Sequence, residues 1–219
     1  MPSSKNVRIT LASRPVGFPK VSDFNVEEVP ISEPAEGEIL IKASWLSLDP
    51  YMRARLDEAK GYAEPIQIGE VIIGAIVGEV IETRTPRFKI GDIIEGRLGW
   101  QSYAVSDGTD MQGLDLRKID PSLGPIQTSV GVLGMPAFTA YFGFLDVCEP
   151  IAGDTVVVSA ASGAVGQIVG QIAKIMGCHV VGTAGSDKKI DYIVNDLGFD
   201  SGINYKNVDL DQALLDHCP

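Results

Sequence analysis

The 219-residue sequence contains few residues that could bind a metal. It has three cysteines and two histidines, and no two cysteines have the C-x-x-C spacing. That spacing is typical of structural zinc lobes and redox dithiols, so we expect neither, and no metal site. Instead, the sequence predicts that Cys178 is a packed thiol beside a surface His179.

Positive charge and long apolar runs are scarce as well. Eighteen Lys and Arg face 29 Asp and Glu, which gives a net charge of −11. Nucleic acids and anionic membranes favour basic surfaces, so we expect neither as a partner. Residues 1–15 hold no apolar block of signal-peptide length, and we expect a cytoplasmic protein. Two uncharged stretches, 121–145 and 155–173, are interrupted by proline or glycine and predict buried interior rather than bilayer spans.

The sequence does contain a strand–turn–helix pattern, Thr155-Val-Val-Val-Ser-Ala-Ala-Ser-Gly-Ala-Val-Gly166. A β-branched strand runs into a turn of small residues and then into a helix. The start of a helix offers unpaired N–H groups and the positive dipole end to a dinucleotide pyrophosphate. Ala161 replaces the first glycine of the usual motif, giving A-x-G-x-x-G, so a purely structural turn is the alternative.

The pattern of the chain changes near its middle. Short strands with glycine corners between residues 7 and 118 predict a barrel-like β domain. From about residue 128, strands alternate with helices, which predicts a parallel sheet with right-handed crossovers. We therefore expect an α/β protein with domains at 1–127 and 128–219.

The predicted parallel sheet is only the first half of a doubly wound sheet. Such a sheet binds its cofactor where strand order reverses between its first and fourth strands. The sequence ends at Pro219, after the third predicted helix. Either the chain is a fragment of a longer protein, which we favour, or a second polypeptide completes the crevice.

The end of the second predicted strand bears on the choice of dinucleotide. It reads Gly182-Thr-Ala-Gly-Ser-Asp-Lys-Lys189, with no acid at the strand end to bind ribose hydroxyls as an NAD site requires. Asp187 falls in the first turn of the next helix, where it complements the dipole, after Ser186 as the N-cap. Ser186 with Lys188 or Lys189 suits the 2′-phosphate of NADP. A solvated basic turn is the alternative.

Further segments resemble one known family. They are Leu46-Ser-Leu-Asp-Pro-Tyr-Met-Arg53, Gly131-Val-Leu-Gly-Met-Pro-Ala-Phe-Thr-Ala-Tyr141 and Leu197-Gly-Phe-Asp200, together with Ser159–Gly166. With these segments the sequence resembles the zinc-independent medium-chain NADPH-dependent reductases. The branch is that of prostaglandin/leukotriene B4 reductases, plant alkenal double-bond reductases and bacterial curcumin reductase. Gly99-Trp-Gln-Ser-Tyr103 is most similar to the curcumin reductase side.

The resemblance implies a fold and an activity. The fold is a GroES-like β-barrel domain followed by the first half of a Rossmann doubly wound sheet. The activity is reduction by NADP(H) of a C=C bond conjugated to a ketone or aldehyde, in a protein that is a homodimer at full length. Hydride would reach the β-carbon, and the enolate would be held by hydrogen bonds without a metal.

The resemblance also assigns roles to individual residues. It implies that the pyrophosphate is bound by Gly163, Ala164, Val165 and Gly166. It implies that the 2′-phosphate is bound by Ser186, Lys189 and Tyr205. Met135 and Thr139 would lie near the cofactor. Tyr51 would be catalytic, although a half-buried turn residue is the alternative. Trp100 and Tyr103 would line a substrate pocket, with core packing as the alternative.

Two other functions stay open from the sequence. Quinone reductases share the glycine turn and also lack zinc, but the segment Asp49-Pro-Tyr-Met-Arg53 favours enone reduction. A truncated nucleotide fold could also be a non-catalytic binding module. For any of these functions, we expect these 219 residues alone not to reduce an enone, because half of the cofactor-binding crevice is absent.

Overall fold

The computed structural model describes residues 5–58 and 64–218, which form two compact units. Residues Met1–Val130 make the first unit and Gly131–Pro219 the second. Each unit has its own hydrophobic core.

The first unit consists mainly of antiparallel strands. Its elements are β1 (Lys5–Leu11), β2 (Phe24–Pro30), β3 (Ile39–Leu46), α1 (Tyr51–Arg55), β4 (Ala75–Thr83), β5 (Ile93–Arg97), β6 (Tyr103–Ser106) and β7 (Arg117–Ile119), with 3-10 turns at Val21–Asp23, Pro121–Leu123 and Ile126–Val130. Strands β1 and β2 form a hairpin, and the other five form a sheet in the order β6-β3-β4-β5-β7. Isolated bridges join Arg8 to Gln101 and Thr10 to Val71.

Alternation of apolar and polar residues explains the main core of the first unit. In β3, Ile39 and Ile41 are fully buried, and in β4 Ile76 and Val80 are. Side chains two apart lie on the same face of a strand, so these four enter one core. A second apolar cluster contains Leu11, Leu56, Ile66, Ile72 and Ile73, and Tyr51 and Trp100 pack against it.

The second unit alternates strands and helices as the sequence predicts. Its elements are α2 (Met135–Tyr141), β8 (Thr155–Val158), α3 (Gly166–Ile175), β9 (His179–Ala184), α4 (Asp187–Asp191), β10 (Ser201–Asn204) and α5 (Leu210–His217). The three strands are parallel, in the order β10-β9-β8. Helices α2 and α4 each continue into a π-helical segment, at Phe142–Cys148 and Tyr192–Asp196.

Glycines let helix α3 lie close to the sheet. A Cβ at position 166 would lie 2.5 Å from the carbonyl oxygen of Ala160, and one at position 170 would overlap the ring of Phe199. Gly177 ends the helix with φ +82°, as the sequence predicts. The N–H of Cys178 then bonds the carbonyl of Ala173, which closes a Schellman-type cap.

The expectation of a buried interior is wrong for much of residues 121–145. Phe138 and Phe142 are each 54% exposed, and Leu123 is 75% exposed. Within this stretch, one face is buried at Pro136, Ala140 and Phe144, which are spaced four residues apart. No helix in the described parts of the chain is long and apolar enough to cross a membrane.

Candidate functional site

The turn between β8 and α3 has a left-handed residue that the sequence did not single out. Ala160 has φ +48°, although alanine rarely adopts this conformation. Its carbonyl accepts the N–H of Gly163 at 2.8 Å, while the N–H of Ala161 bonds Thr183 in β9 at 3.0 Å. The turn is thereby held against the second strand, and Ala161 is fully buried.

The start of α3 presents free backbone donors. Within residues 5–58 and 64–218, no acceptor bonds the N–H groups of Ala164, Val165 or Gly166. Ala164 and Val165 are exposed, whereas Gly166 is buried. Unpaired amides at a helix start, with the positive end of its dipole, favour an anion. Of the four consecutive residues predicted for the pyrophosphate, Gly163 has its N–H bonded to Ala160, and the other three have N–H groups without an acceptor among the described residues.

The end of β9 is shaped by a glycine next to a tyrosine. A Cβ at Gly185 would lie 2.8 Å from the hydroxyl oxygen of Tyr205 and 3.2 Å from Cε of Lys206. Because position 185 lacks a side chain, the ring of Tyr205 approaches Gly185, the residue before Ser186. The sequence motifs assigned no role to Gly185 or Lys206. A glycine directly after a strand is the signal that could have indicated the close approach at position 185.

Ser186 differs from its predicted role as a side-chain cap. It occupies the N-cap position of α4 with extended backbone, but its hydroxyl makes no capping hydrogen bond. Its carbonyl accepts the N–H groups of Lys189 and Ile190. The hydroxyl is therefore available to another acceptor or donor.

Asp187 is held away from a ribose-binding role by two asparagines. Its Oδ1 accepts hydrogen bonds from Asn204 at 2.6 Å and Asn207 at 3.3 Å. No sequence pattern predicts this contact between the start of α4 and the end of β10. In contrast, Lys188 and Lys189 are exposed, and neither forms an ion pair with a described residue. The positive charges of Lys188 and Lys189 therefore lie next to the carboxylate of Asp187, which already accepts hydrogen bonds from the two asparagines.

Met135 and Thr139 lie one turn apart on α2. This helix packs against α3, so both residues belong to the same unit as the turn at Ala160. Met135 is 39% exposed. The hydroxyl of Thr139 donates to the carbonyl of Met135 at 2.9 Å, which fixes its rotamer on the exposed side of the helix.

Tyr51 opens α1 in the first unit. Its hydroxyl is covered, and its O–H has no acceptor among the described residues, while the guanidinium of Arg97 lies close enough to donate to the phenol oxygen. Burial raises the pKa of the Tyr51 phenol, and the carboxylate of Asp49 raises it further; the charges of Arg97 and Arg55 oppose this shift without cancelling it. The phenol is therefore protonated at neutral pH and can donate a hydrogen bond.

Trp100 and Tyr103 are both packed. Trp100 stacks on Phe24 with ring centroids 6.1 Å apart, and a Cβ at Gly74 would lie 2.7 Å from its ring. Tyr103 is 5% exposed, in β6, and its N–H bonds the side chain of Asn6 at 3.0 Å. Tyr103 is therefore packed in the interior of the first unit, as the core-packing alternative predicts.

The cysteines lie apart from these residues. All three are free, and Cys178 is buried in the core of the second unit, where burial raises the pKa of its thiol. The part of the chain that the structure describes contains no group of three or more His, Cys, Asp or Glu able to hold a metal ion.

Two family models match the chain. Residues 7–114 match the N-terminal domain of oxidoreductase, and residues 164–219 match the zinc-binding dehydrogenase model. Together with the β-rich first unit and the parallel βαβ unit that follows it, these matches define the class as a dehydrogenase/reductase.

Curated relatives and a solved structure narrow the class. The chain is 43% identical to NADPH-dependent curcumin reductase of Escherichia coli over 98% of its own length and 61% of that protein. It is 43% identical to 2-alkenal reductase (NADP(+)-dependent) of Nicotiana tabacum over 98% of its length and 63% of that protein. CurA of Vibrio vulnificus, solved in complex with NADPH, is 45% identical with a TM-score of 0.88, over 96% of this chain and 61% of that one.

These similarities establish the family. The chain belongs to the medium-chain dehydrogenase/reductase family, in the branch of curcumin, alkenal and prostaglandin reductases. It spans about 61% of the length of the curated curcumin reductase that it matches. The family resemblance and the fold class predicted from the sequence are thereby confirmed.

Proposed function

We propose that this protein is an NADPH-dependent reductase of the C=C bond in α,β-unsaturated ketones and aldehydes. The observation that carries the proposal is the end of β9, where unpaired lysines replace the ribose-binding acid of an NAD site. Curcumin and 2-alkenal reductases with this cofactor preference are 43% identical to the chain.

The second unit offers groups that fit each phosphate of NADPH. The free N–H groups of Ala164, Val165 and Gly166 suit the pyrophosphate, and Gly163 keeps the turn narrow. The hydroxyls of Ser186 and Tyr205 and the ammonium of Lys189 suit the 2′-phosphate. Met135 and Thr139 would contact the cofactor from α2.

The chemistry needs a hydride and a group that stabilises developing negative charge on the carbonyl oxygen. Bound NADPH supplies the hydride. Tyr51 supplies a protonated phenol whose O–H has no acceptor among the described residues, so it can donate to that oxygen without breaking another bond. The residue that protonates the α-carbon is not assigned.

The remaining sequence-based expectations belong to the same proposal. We assign the catalytic GroES-like domain to residues 1–127 and the NADP-binding domain to residues 128–219. The enzyme would work without zinc, in the cytoplasm and as a homodimer, with no nucleic acid or membrane as partner. Free cysteines and the net charge of −11 support the location and the exclusion of nucleic acid.

Exchange of Lys189 for Ala tests the cofactor assignment. Loss of a charge-assisted hydrogen bond at an exposed site should weaken NADPH binding about tenfold and leave NADH binding nearly unchanged. Fluorescence titration with each dinucleotide measures both constants. The control is Lys89→Ala, an exposed lysine of the first unit, which should change neither. An equal effect of K189A on both dinucleotides would refute the 2′-phosphate role.

The reaction itself is tested with the full-length gene product. Loss of NADPH absorbance with a simple alkenal, and one saturated aldehyde formed per NADPH consumed, is the expected result. Tyr51→Phe should lower kcat by about tenfold to a hundredfold, with NADPH affinity unchanged. Reduction of the carbonyl to an alcohol instead would contradict the proposal.

A further inference from the structure

The first unit contains covered hydrogen-bond donors that have no acceptor. Among the described residues they are Nε of Arg14, the hydroxyl of Tyr51, Nε and Nη1 of Arg55, and Nε1 of Trp100. Leaving a buried donor unpaired costs about 1–3 kcal/mol, and more for a charged group. Such groups are rare in native proteins and call for a physical reason.

These donors belong to one region of the unit. Tyr51 and Arg55 are the first and last residues of α1, four positions apart, so their side chains lie on the same face of the helix. The guanidinium of Arg55 is near enough to lower the pKa of the Tyr51 phenol against the larger effect of burial. Tyr51 and Trp100 pack against the same apolar cluster.

Arg55 differs from the other arginines around it. Arg53 bonds Asp57 at 2.8 Å and the carbonyl of Gly17 at 3.0 Å. Arg14 bonds the carbonyls of Leu56 and Ile66, and Arg97 pairs with Asp110 at 3.4 Å. Arg55 has neither an ion pair nor a side-chain hydrogen bond to any residue that the structure describes. Its charge is therefore uncompensated among the described residues.

We propose that Arg55 is a specificity-determining residue that binds a carboxylate on the substrate, while Tyr51 binds the substrate carbonyl oxygen. A guanidinium is the side chain best suited to a carboxylate, and one helical turn separates it from the phenol. The preferred substrates would be short enones that carry a carboxylate, such as 4-oxoalk-2-enoates. This inference rests on the proposed enone reductase function and names its substrate class.

Binding of saturated analogues tests the site without catalysis. The full-length gene product with NADP⁺ is titrated with 4-oxopentanoate and with 2-pentanone, a neutral ketone of the same chain length. The carboxylate should bind at least about tenfold more tightly, since hydrogen bonds to charged groups contribute about 1.5–3 kcal/mol. On its addition, the Arg55 Nε–H resonance should shift downfield in a ¹⁵N–¹H spectrum.

Variants of two neighbouring arginines distinguish a binding role from a structural one. Arg55→Met removes the charge but keeps the length, and should abolish the preference for the carboxylate while the melting temperature stays equal or rises, because a covered unpaired charge is removed. Arg55→Lys should retain part of the preference. Arg53→Met, the control, should keep the preference and lower the melting temperature, since it breaks the bond to Asp57.

The outcomes separate this inference from the proposed function. Equal affinity for both ketones, or an unchanged preference in R55M, would overturn the carboxylate site. Tight binding of 4-oxopentanoate without reduction of 4-oxopent-2-enoate would uphold the site and refute the reductase. Reduction of 4-oxopent-2-enoate and 3-penten-2-one with the same kcat/KM would uphold the reductase and refute the site.

Discussion

At the residue scale, two adjacent alanines in the turn after β8 have opposite environments. Ala160 adopts a left-handed conformation with φ +48°, whereas Ala161 is fully buried in the core of the second unit. The methyl group of Ala160 therefore destabilises the turn through backbone strain, whereas the methyl group of Ala161 stabilises the folded unit through packing. A Cβ added at Gly182 would lie 2.9 Å from the Ala161 methyl, which shows how closely β9 approaches it.

Glycine substitutions should separate the two alanines. Ala160→Gly removes a left-handed strain of about 1–2 kcal/mol but gains unfolded-state entropy, so we expect a net stabilisation of about 0.5 kcal/mol. Ala161→Gly loses a buried methyl group and adds the same entropy cost, and should destabilise by about 1.5 kcal/mol. Urea denaturation of both variants measures the difference. Equal destabilisation by both would show that position 160 is not strained.

At the element scale, Asp200 joins the strands and helix at the edge of the sheet opposite the anion-binding turn. Its carboxylate accepts Lys174 of α3 at 2.7 Å and the N–H of Val180 in β9 at 2.6 Å, and it lies 3.7 Å from Nδ1 of His179. Burial acts to raise the pKa of Asp200, but the bonds from Lys174 and Val180 outweigh it and hold the pKa below 3.8. The ionised carboxylate therefore stabilises the folded unit.

This shift predicts a pH dependence of stability. The contribution of Asp200 is complete above its unfolded pKa and is lost as pH falls through its lower folded pKa, so it declines progressively below about pH 4. The variant D200N should be less stable than wild type at pH 7, and the difference should shrink towards pH 3. Melting temperatures from pH 7 to pH 3 measure this. The control is D211N at an exposed site on α5, which should follow the wild-type curve.

At the scale of the whole molecule, the number of strands in the second unit limits what these residues can do. The sheet has the order β10-β9-β8, and no strand in the described chain pairs with the outer side of β8. In a doubly wound sheet, the crevice for a dinucleotide forms between the first strand and the one that pairs on this side. The turn at Ala160 therefore forms one side of such a crevice.

The 219 residues alone should bind NADPH but not reduce an enone. The groups fitted to the pyrophosphate and 2′-phosphate lie within one compact unit, whereas the other side of the crevice is absent from the sheet described. Fluorescence titration should show binding, and incubation with an alkenal should leave NADPH absorbance constant. Steady turnover by the 219-residue chain would contradict this prediction.

Local sequence patterns determined most of the fold and part of the candidate site. The β-branched run at 155–158, the apolar stripe of α3 and Gly177 predicted a strand, a helix and its end, and the structure has all three. These predictions succeeded because they depend on neighbours within a few residues. The absence of an acid at the end of β9 is likewise a property of the sequence alone.

Contacts between distant residues were decided only by the tertiary structure. Asn204 and Asn207 bind Asp187, Tyr205 packs over Gly185, and the turn at Ala160 is bonded to Thr183. Likewise, only the folded unit shows that Arg55 has no side-chain partner among the described residues while Arg53 has two. Periodicity places a side chain on a face of its element, but which donors meet acceptors depends on how strands and helices pack in three dimensions.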